Sequence, residues 1–395
     1  MADLQQFLLP IVLLVGILLA YMIYTNFQVG PTSKSWSLGQ PDPILSYNDY
    51  LYAGKEIPAK QPGEKRIVWI MHSYVPNVRA GSEITAEAQI DFLRKKGWNS
   101  FVLTHRWCVP SWKETPIFPI QKHNISRSKY IEQLLDSADI LAVQNYSVSE
   151  FLFEVERFHK PVVVFIHTHN DNRDSLAFRF GSPMYIVYNV NYLKLESGNQ
   201  HPSIVVHPAV ETTKFKLEKK DPKYITLVNS NENKGGSLIP KLAAALPEYQ
   251  FLVIKGGYAD QVIDPNPPKN LTYWDTQEDM TKVYSQTKIL LMPSKLETWG
   301  RVAVEAMANG TPVITSRAQG LLECVGKAVN SCDRNDISCW IETIKTLMTD
   351  EKAYDDASNK ARERVKELDS ENEFERLNGF LDDIRVRHSE KEEEV

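Results

Sequence analysis

The sequence predicts an α/β protein built of two doubly wound, parallel-sheet units in tandem, and three observations carry that expectation. Apolar runs of strand length alternate with amphipathic stretches of helix length along most of the chain. The apolar runs are continuous Val/Ile/Leu segments, which suits strands covered by helices on both faces of a sheet. The alternation stops at a polar stretch after His207, PAVETTKFKLEKKDPK, and then starts again at Tyr224. A chain of 395 residues has the length for two such units.

Taken in order, the chain opens on Phe7 to Tyr24, FLLPIVLLVGILLAYMIY, an uncharged run long enough for an apolar bilayer core about 30 Å thick. MADLQQ before it carries no Lys or Arg, and no small-residue cleavage site follows, so a removed signal peptide is disfavoured. Residues 1–24 are therefore expected to be a retained, single-pass transmembrane helix that places the protein at a membrane. Lys34 is the one basic residue close to the run, which by the positive-inside rule points to catalytic domains on the cytosolic side. Asn-x-Ser/Thr triplets at Asn124, Asn145, Asn270 and Asn309 keep the lumenal side open. Residues 25–64, with prolines at 31, 41, 43, 58 and 62, read as an extended spacer.

The first unit, residues 65–208, has strand candidates at 67–74, 100–105, 139–146, 161–168, 185–190 and 203–207. Helical patterns fall at 84–97, 128–138 and 149–159. The second unit, 209–370, has strands at 224–229, 250–256, 270–275, 288–294 and 312–316. Its helices lie at 236–247, through DMTKVYSQT and from Gly300 to Asn309. Residues 371–395 read as a C-terminal helix with an acidic tail, KEEEV. In doubly wound sheets a ligand sits at the carboxyl edges of the strands, so a cleft between the two units is expected.

Composition removes several classes. With 43% hydrophobic and 24% charged residues this is an ordinary folded chain. A net charge of −5 gives no broad basic surface for nucleic acid. Four cysteines without a CxxC pair are expected to be ordinary buried thiols.

Chemistry concentrates in KILLMPSKLETWGRVAVEAMANGTPVITS. A buried strand ends at Pro293-Ser294, a short loop carries Glu297, and Gly300 opens a helix that presents Glu305. The backbone N–H groups of Trp299, Gly300 and Arg301 fall at that helix start, where partial positive charge suits a diphosphate. With its two glutamates seven residues apart, the PS before them, AMANGTPVITS after them and Gly320-Leu-Leu-Glu323 downstream, the segment resembles the signature of the family 4 retaining glycosyltransferases. These are enzymes of the GT-B fold, two Rossmann-like domains facing a central cleft, with a Glu-x7-Glu motif.

The resemblance extends through the chain. Arg79-AGSE looks like the family's glycine-rich loop, with Ala80 in place of the usual first Gly. There Gly81 allows close approach of a ligand, ahead of Ser82 as the helix cap. His167, at the end of PVVVFIHT, matches the family's histidine beside the transferred sugar; His169 is a second candidate. LVNSNENKGG resembles the strand-end loop whose lysine, here Lys234, pairs with the donor diphosphate, although Asn229 stands where many members carry Arg. The segment around Trp274 and Asp275 falls where the family's base-contacting loop lies.

The resemblance implies transfer of a sugar from a nucleotide-diphosphate sugar to a glycan, lipid-linked or protein acceptor, with retention. Glu297 would hold hydroxyls of the sugar and Glu305 the ribose. His167 and Glu297 are then the catalytic candidates. Gly81, Asn229, Lys234, Trp274, Trp299, Gly300, Arg301 and Glu305 are the donor-binding ones. No cofactor and no metal are expected, since no Asp-x-Asp lies in a strand-end loop. The alternatives are a membrane-tethered binding or scaffold protein without turnover, suggested by Asn229 and Ala80, and a nucleotide-sugar epimerase. A nucleotide-dependent oxidoreductase is disfavoured because WIMHSYVPNVRAGSE lacks GxGxxG.

Overall fold

The computed structural model describes residues 57–106, 108–120, 129–144, 152, 155–169, 183–218, 220–257, 259–368 and 370–393. The first half holds strands β1 (Lys65–Met71), β2 (Trp98–Thr104), β3 (Ser111–Trp112), β4 (Thr115–Pro119), β5 (Ile140–Gln144), β6 (Val162–Ile166), β7 (Met184–Tyr188) and β8 (Ser203–Val205). Its helices are α1 (Gly81–Lys95), α2 (Lys129–Asp136) and α3 (Asn191–Ser197). The strands form one 8-stranded sheet in the order β3-β4-β2-β1-β5-β6-β7-β8. Every pairing is parallel except the β3–β4 hairpin. The continuous apolar runs behave as that topology requires: β5 and β6 are buried at every residue. Helix α1 turns Ala86, Ile90 and Leu93, spaced four and three residues apart, onto the sheet.

The second half holds β9 (Tyr224–Val228), α4 (Ile239–Ala245), β10 (Gln250–Ile254), β11 (Leu271–Trp274), α5 (Thr281–Tyr284), β12 (Thr287–Met292), α6 (Arg301–Ala308), β13 (Val313–Ser316), α7 (Gln319–Val325) and β14 (Asn330–Cys332). Its 6-stranded sheet runs β11-β10-β9-β12-β13-β14, wholly parallel. Helices α8 (Ile337–Thr349) and α9 (Glu351–Glu367) follow, and α8 places Trp340, Ile344 and Leu347 in the second core.

The last helix, α10 (Ser370–Glu393), returns to the first half. Leu377, Leu381 and Ile384 join the first core. The Trp98 indole N–H donates to Asn378 Oδ1 at 3.0 Å, and Phe92 stacks on Phe374 at 5.1 Å. The chain thus passes between the halves twice, after β8 and before α10, and the segment expected to be a helix with an acidic tail lends three side chains to the first core.

Two expectations are corrected. The membrane placement rested on residues 1–24, which lie outside the described residues. Among the described residues no helix is long and apolar enough to cross a membrane, and the localisation built on such a span is withdrawn. The cysteines are not all thiols: Cys332 and Cys339 form a disulfide, while Cys108 and Cys324 are free and buried. The run from 332 to 339 passes from the end of β14 into the first turn of α8, which brings the two Cα atoms to 5.8 Å. Residues 1–56, the candidate triplets at Asn124 and Asn145 and much of the expected helix at 149–159 lie outside the described residues. Asn270 and Asn309 are buried, and the Asn270 amide N–H groups donate to the carbonyls of Ala243, Leu246 and Tyr249.

Candidate functional site

Two loops at the carboxyl edge of the second sheet are stitched together. Asn233, after β9, accepts at Oδ1 from the Leu296 N–H (3.0 Å) and donates from Nδ2 to the Leu296 carbonyl (2.9 Å). Its own carbonyl accepts from the Lys295 N–H at 2.7 Å. That stitching brings Lys234 onto Glu297 as a short ion pair, with Ser294 Oγ donating at 3.4 Å to the same carboxylate oxygen. The side chains are only 16% and 12% exposed, so the pair is largely out of water, where opposite charges hold strongly and each depends on the other.

Gly300 precedes α6 with φ of +104°, a left-handed conformation open to glycine at no cost. One turn into α6, Glu305 is buried. Its Oε2 accepts from the Tyr284 hydroxyl at 2.7 Å, and its Oε1 lies 3.6 Å from the Arg301 guanidinium. Burial pushes the Glu305 carboxyl above its ordinary range, with Arg301 and Tyr284 pulling the other way. Arg301 turns toward the first half: its Nη1 donates to the Ala209 carbonyl at 2.6 Å, and a β-carbon on Gly81 would stand 3.8 Å from its Cδ. Its side chain is thus held between Glu305, the inter-half segment and the glycine-rich loop. Ser82 does not cap α1: the capping position is Ala80, and the Ser82 hydroxyl donates to Glu83 instead.

On the first sheet, His167 follows β6 at the carboxyl edge and is 8% exposed. Its Nε2 lies 3.3 Å from Gln144 Oε1 at the end of β5. Burial holds the imidazole pKa down at about 4, so the ring is neutral at ordinary pH. His169 points to a different environment, 3.3 Å from Glu196 and 3.4 Å from the Tyr192 hydroxyl.

Two predicted residues take structural positions. Asn229 adopts φ of +68°, and its Oδ1 accepts from Gln261 Nε2 (3.1 Å) and from the Asn231 N–H (3.3 Å). The Gln261 Oε1 in turn accepts from the Ser230 and Gly256 N–H groups. Asn229 therefore pins the loop after β9 to the loop after β10. Trp274 ends β11 with its ring in a small apolar cluster beside Tyr224, and its carbonyl accepts from the Lys255 N–H.

Trp299 is 4% exposed, and its indole stacks on His207 with ring centroids 4.5 Å apart. His207, Tyr284, Gln144 and Gln261 were not foreseen. Each lies outside the recognisable motif, and only the fold brings it there. Among the described residues no group of three or more His, Cys, Asp or Glu side chains is placed to hold a metal ion.

The fold is of the GT-B type, two parallel sheets flanked by helices, with the glutamate pair at the carboxyl edge of the second. Residues 210–364 match the family described as glycosyl transferases group 1. A D-inositol 3-phosphate glycosyltransferase of Corynebacterium efficiens is 27% identical over 237 residues, covering 56% of this chain and 51% of the relative. A sulfoquinovosyl transferase of Arabidopsis thaliana is 24% identical over 160 residues, 38% of this chain and 31% of the relative. The chain thus spans about half the length, or less, of these curated relatives. The fold is shared with sucrose-phosphate synthase from Thermosynechococcus elongatus, at a TM-score of 0.66 and 15% identity over 82% of this chain and 100% of that one. It is shared equally with HepE of Anabaena in complex with UDP-glucose, at a TM-score of 0.66 and 13% identity over 80% and 99% of the two chains.

Proposed function

We propose that the protein transfers a glycosyl group from a nucleotide-diphosphate sugar to a hydroxyl of a glycan or related acceptor, with retention at the anomeric carbon. The observation that carries this reading is the Lys234–Glu297 pair beside the N–H groups that open α6. It brings a cation, a carboxylate and the N–H groups that open a helix to one sheet edge, the set that a sugar diphosphate requires.

The donor exchanges partners within the pair. Its diphosphate takes the Lys234 ammonium and the amides of Gly300 and Arg301, and Glu297 is released to accept from hydroxyls of the sugar. Glu305, with one oxygen already held by Tyr284, offers the other to the ribose. Neutral His167 shares a hydrogen bond with a sugar hydroxyl, a positioning task that a ring titrating near pH 4 performs without changing charge. Catalysis then rests on orientation and on charge stabilisation of the departing diphosphate, which itself takes the acceptor proton. With Asn229 committed to the loop network, Lys234 supplies the side-chain cation at that phosphate. Arg301 acts through Glu305. No metal is assigned a role. The relatives named for transfer to inositol 3-phosphate support a polyol or sugar hydroxyl as acceptor.

A thermal-shift panel of nucleotide sugars followed by product analysis tests the reading. The expected result is a donor that raises the melting temperature and a glycosylated product that Glu297→Ala abolishes. An isomerised free nucleotide sugar would point to an epimerase, and binding without any product to a protein that has lost turnover.

A further inference from the structure

Glu323, the last residue of Gly320-Leu-Leu-Glu323, has no part in the donor site described above. It lies on α7 of the second half, yet its carboxylate accepts from the N–H groups of Asn191 (2.7 Å) and Tyr192 (3.3 Å), which open α3 of the first half. The Asn191 side-chain amide adds a third bond at 2.8 Å. The same carboxylate meets His207 Nε2 at 2.9 Å, on the segment that leaves β8 for the second half. The other ring nitrogen, Nδ1, meets Glu373 Oε1 at 2.9 Å, and the His207 N–H donates to Glu373 Oε2 at 3.2 Å. Glu373 lies in the first turn of α10, the helix that returns to the first half. The face of the imidazole lies on Trp299, within the Glu297–Glu305 motif.

A single ring thus joins four segments: the outgoing connection, the returning helix, α7 and the donor loop. Two carboxylates on opposite ring nitrogens require both to carry protons. Burial opposes the charge, but the two acids prevail and hold the pKa up at about 9. The other charged or titratable groups around it are Arg376 on α10, paired with Glu373 at 3.2 Å; Arg364 on α9, donating to the Glu323 and Cys324 carbonyls; and Tyr192 on α3.

We propose that Glu323, His207 and Glu373 form a clasp that fixes the first half against the second and, through the Trp299 indole, holds the Glu297 loop in line with His167. They are positioning residues, and none is placed to touch substrate. The groups proposed for the diphosphate and the ribose, Lys234, Gly300, Arg301 and Glu305, all lie within the second half, so loosening the clasp misaligns the reacting partners without dismantling that part of the donor site. The effect on turnover rests on the transferase reading; the mechanical effect does not.

Hydrogen exchange with kinetics on His207→Gln separates the two. The expected result is faster exchange at Asn191, Tyr192 and residues 298–301, with β1 and β9 unchanged. Turnover should fall about tenfold or more while donor affinity stays within about threefold. The wild-type decline in turnover above pH about 9 should be absent from the variant. Exchange changes confined to residues 206–208, or equal losses in turnover and donor affinity, would overturn the clasp. Should His207→Gln not fold, Glu373→Gln removes one arm only and is read by the same amides. A wild-type protein that transfers no sugar would end the transferase reading, and the exchange pattern alone would then decide the clasp.

Discussion

The ammonium of Lys234 is ion-paired with the carboxylate of Glu297, 63 positions away in the chain, and each is more than four-fifths buried. The two charges satisfy one another, and under the proposed function a sugar diphosphate would take Lys234 and free Glu297 for the sugar. Lys234→Ala should therefore weaken donor binding about 10- to 100-fold, the range that loss of a charge-assisted hydrogen bond gives at about 1.5–3 kcal/mol. Titration calorimetry with the nucleotide sugar chosen by the thermal-shift panel measures it. Unchanged affinity would remove Lys234 from the phosphate.

An arginine at position 229, where the family resemblance leads one to expect it, should not strengthen donor binding. Asn229 sits at φ of +68°, a conformation asparagine tolerates better than longer side chains do, and its amide is locked to Gln261. A β-carbon on Gly256 would stand 2.2 Å from Asn229 Cγ, so the space about the side chain is filled. Asn229→Arg should cost about 1–3 kcal/mol of stability by denaturant titration, with no gain in donor affinity. A tighter-binding, equally stable variant would contradict the network.

Gly320 supports the motif from behind. A β-carbon there would come within 2.2 Å of the Thr298 carbonyl oxygen and 2.4 Å of that of Glu297, both backbone atoms that no rotamer change can clear. Gly320→Ala should push the Glu297 loop off Lys234, lowering stability by about 1–3 kcal/mol and donor affinity with it. Thermal melts and calorimetry on one sample show whether the two losses travel together.

Stability should fall with alkali because of His207. Its folded pKa is raised from 6.5 to about 9, so its contribution is complete below pH 6.5 and is lost as pH rises through 9. The full shift would be worth about 3 kcal/mol at 1.36 kcal/mol per unit; partial exposure of the ring reduces that to about 2. Melting temperatures from pH 6 to 10 should decline in the wild type and decline less in His207→Gln. Parallel curves would show that the ring does not carry the charge.

Both sheets were legible because their strands are continuous apolar runs, a pattern that follows from burial on two faces. The β3–β4 hairpin was not. Its turn residues, Lys113 and Glu114, adopt φ of 45° and 68° without the glycine or asparagine that normally signals such a turn. The return of α10 was hidden for a different reason: its core residues, Leu377, Leu381 and Ile384, are sparse within a charged helix. Glu297, Lys234 and Glu305 could be found because one short motif and one loop contain them. The bonds that define their states come from Tyr284, which donates to Glu305, and Asn233, which joins the two loops, and only the fold sets their positions. Glu323 was visible in the motif, but its partners Asn191 and His207 lie 132 and 116 residues before it. The Cys332–Cys339 bridge has a spacing no short metal or redox motif uses, so the sequence offered no sign of it.

The most direct test of the transferase reading is a proton NMR time course of the wild-type protein with an α-linked nucleotide sugar and its acceptor, run beside Glu297→Gln. The prediction is a product whose anomeric proton keeps the α configuration from its first appearance, and none from the variant. A β-configured first product, or transfer undiminished in Glu297→Gln, would contradict it.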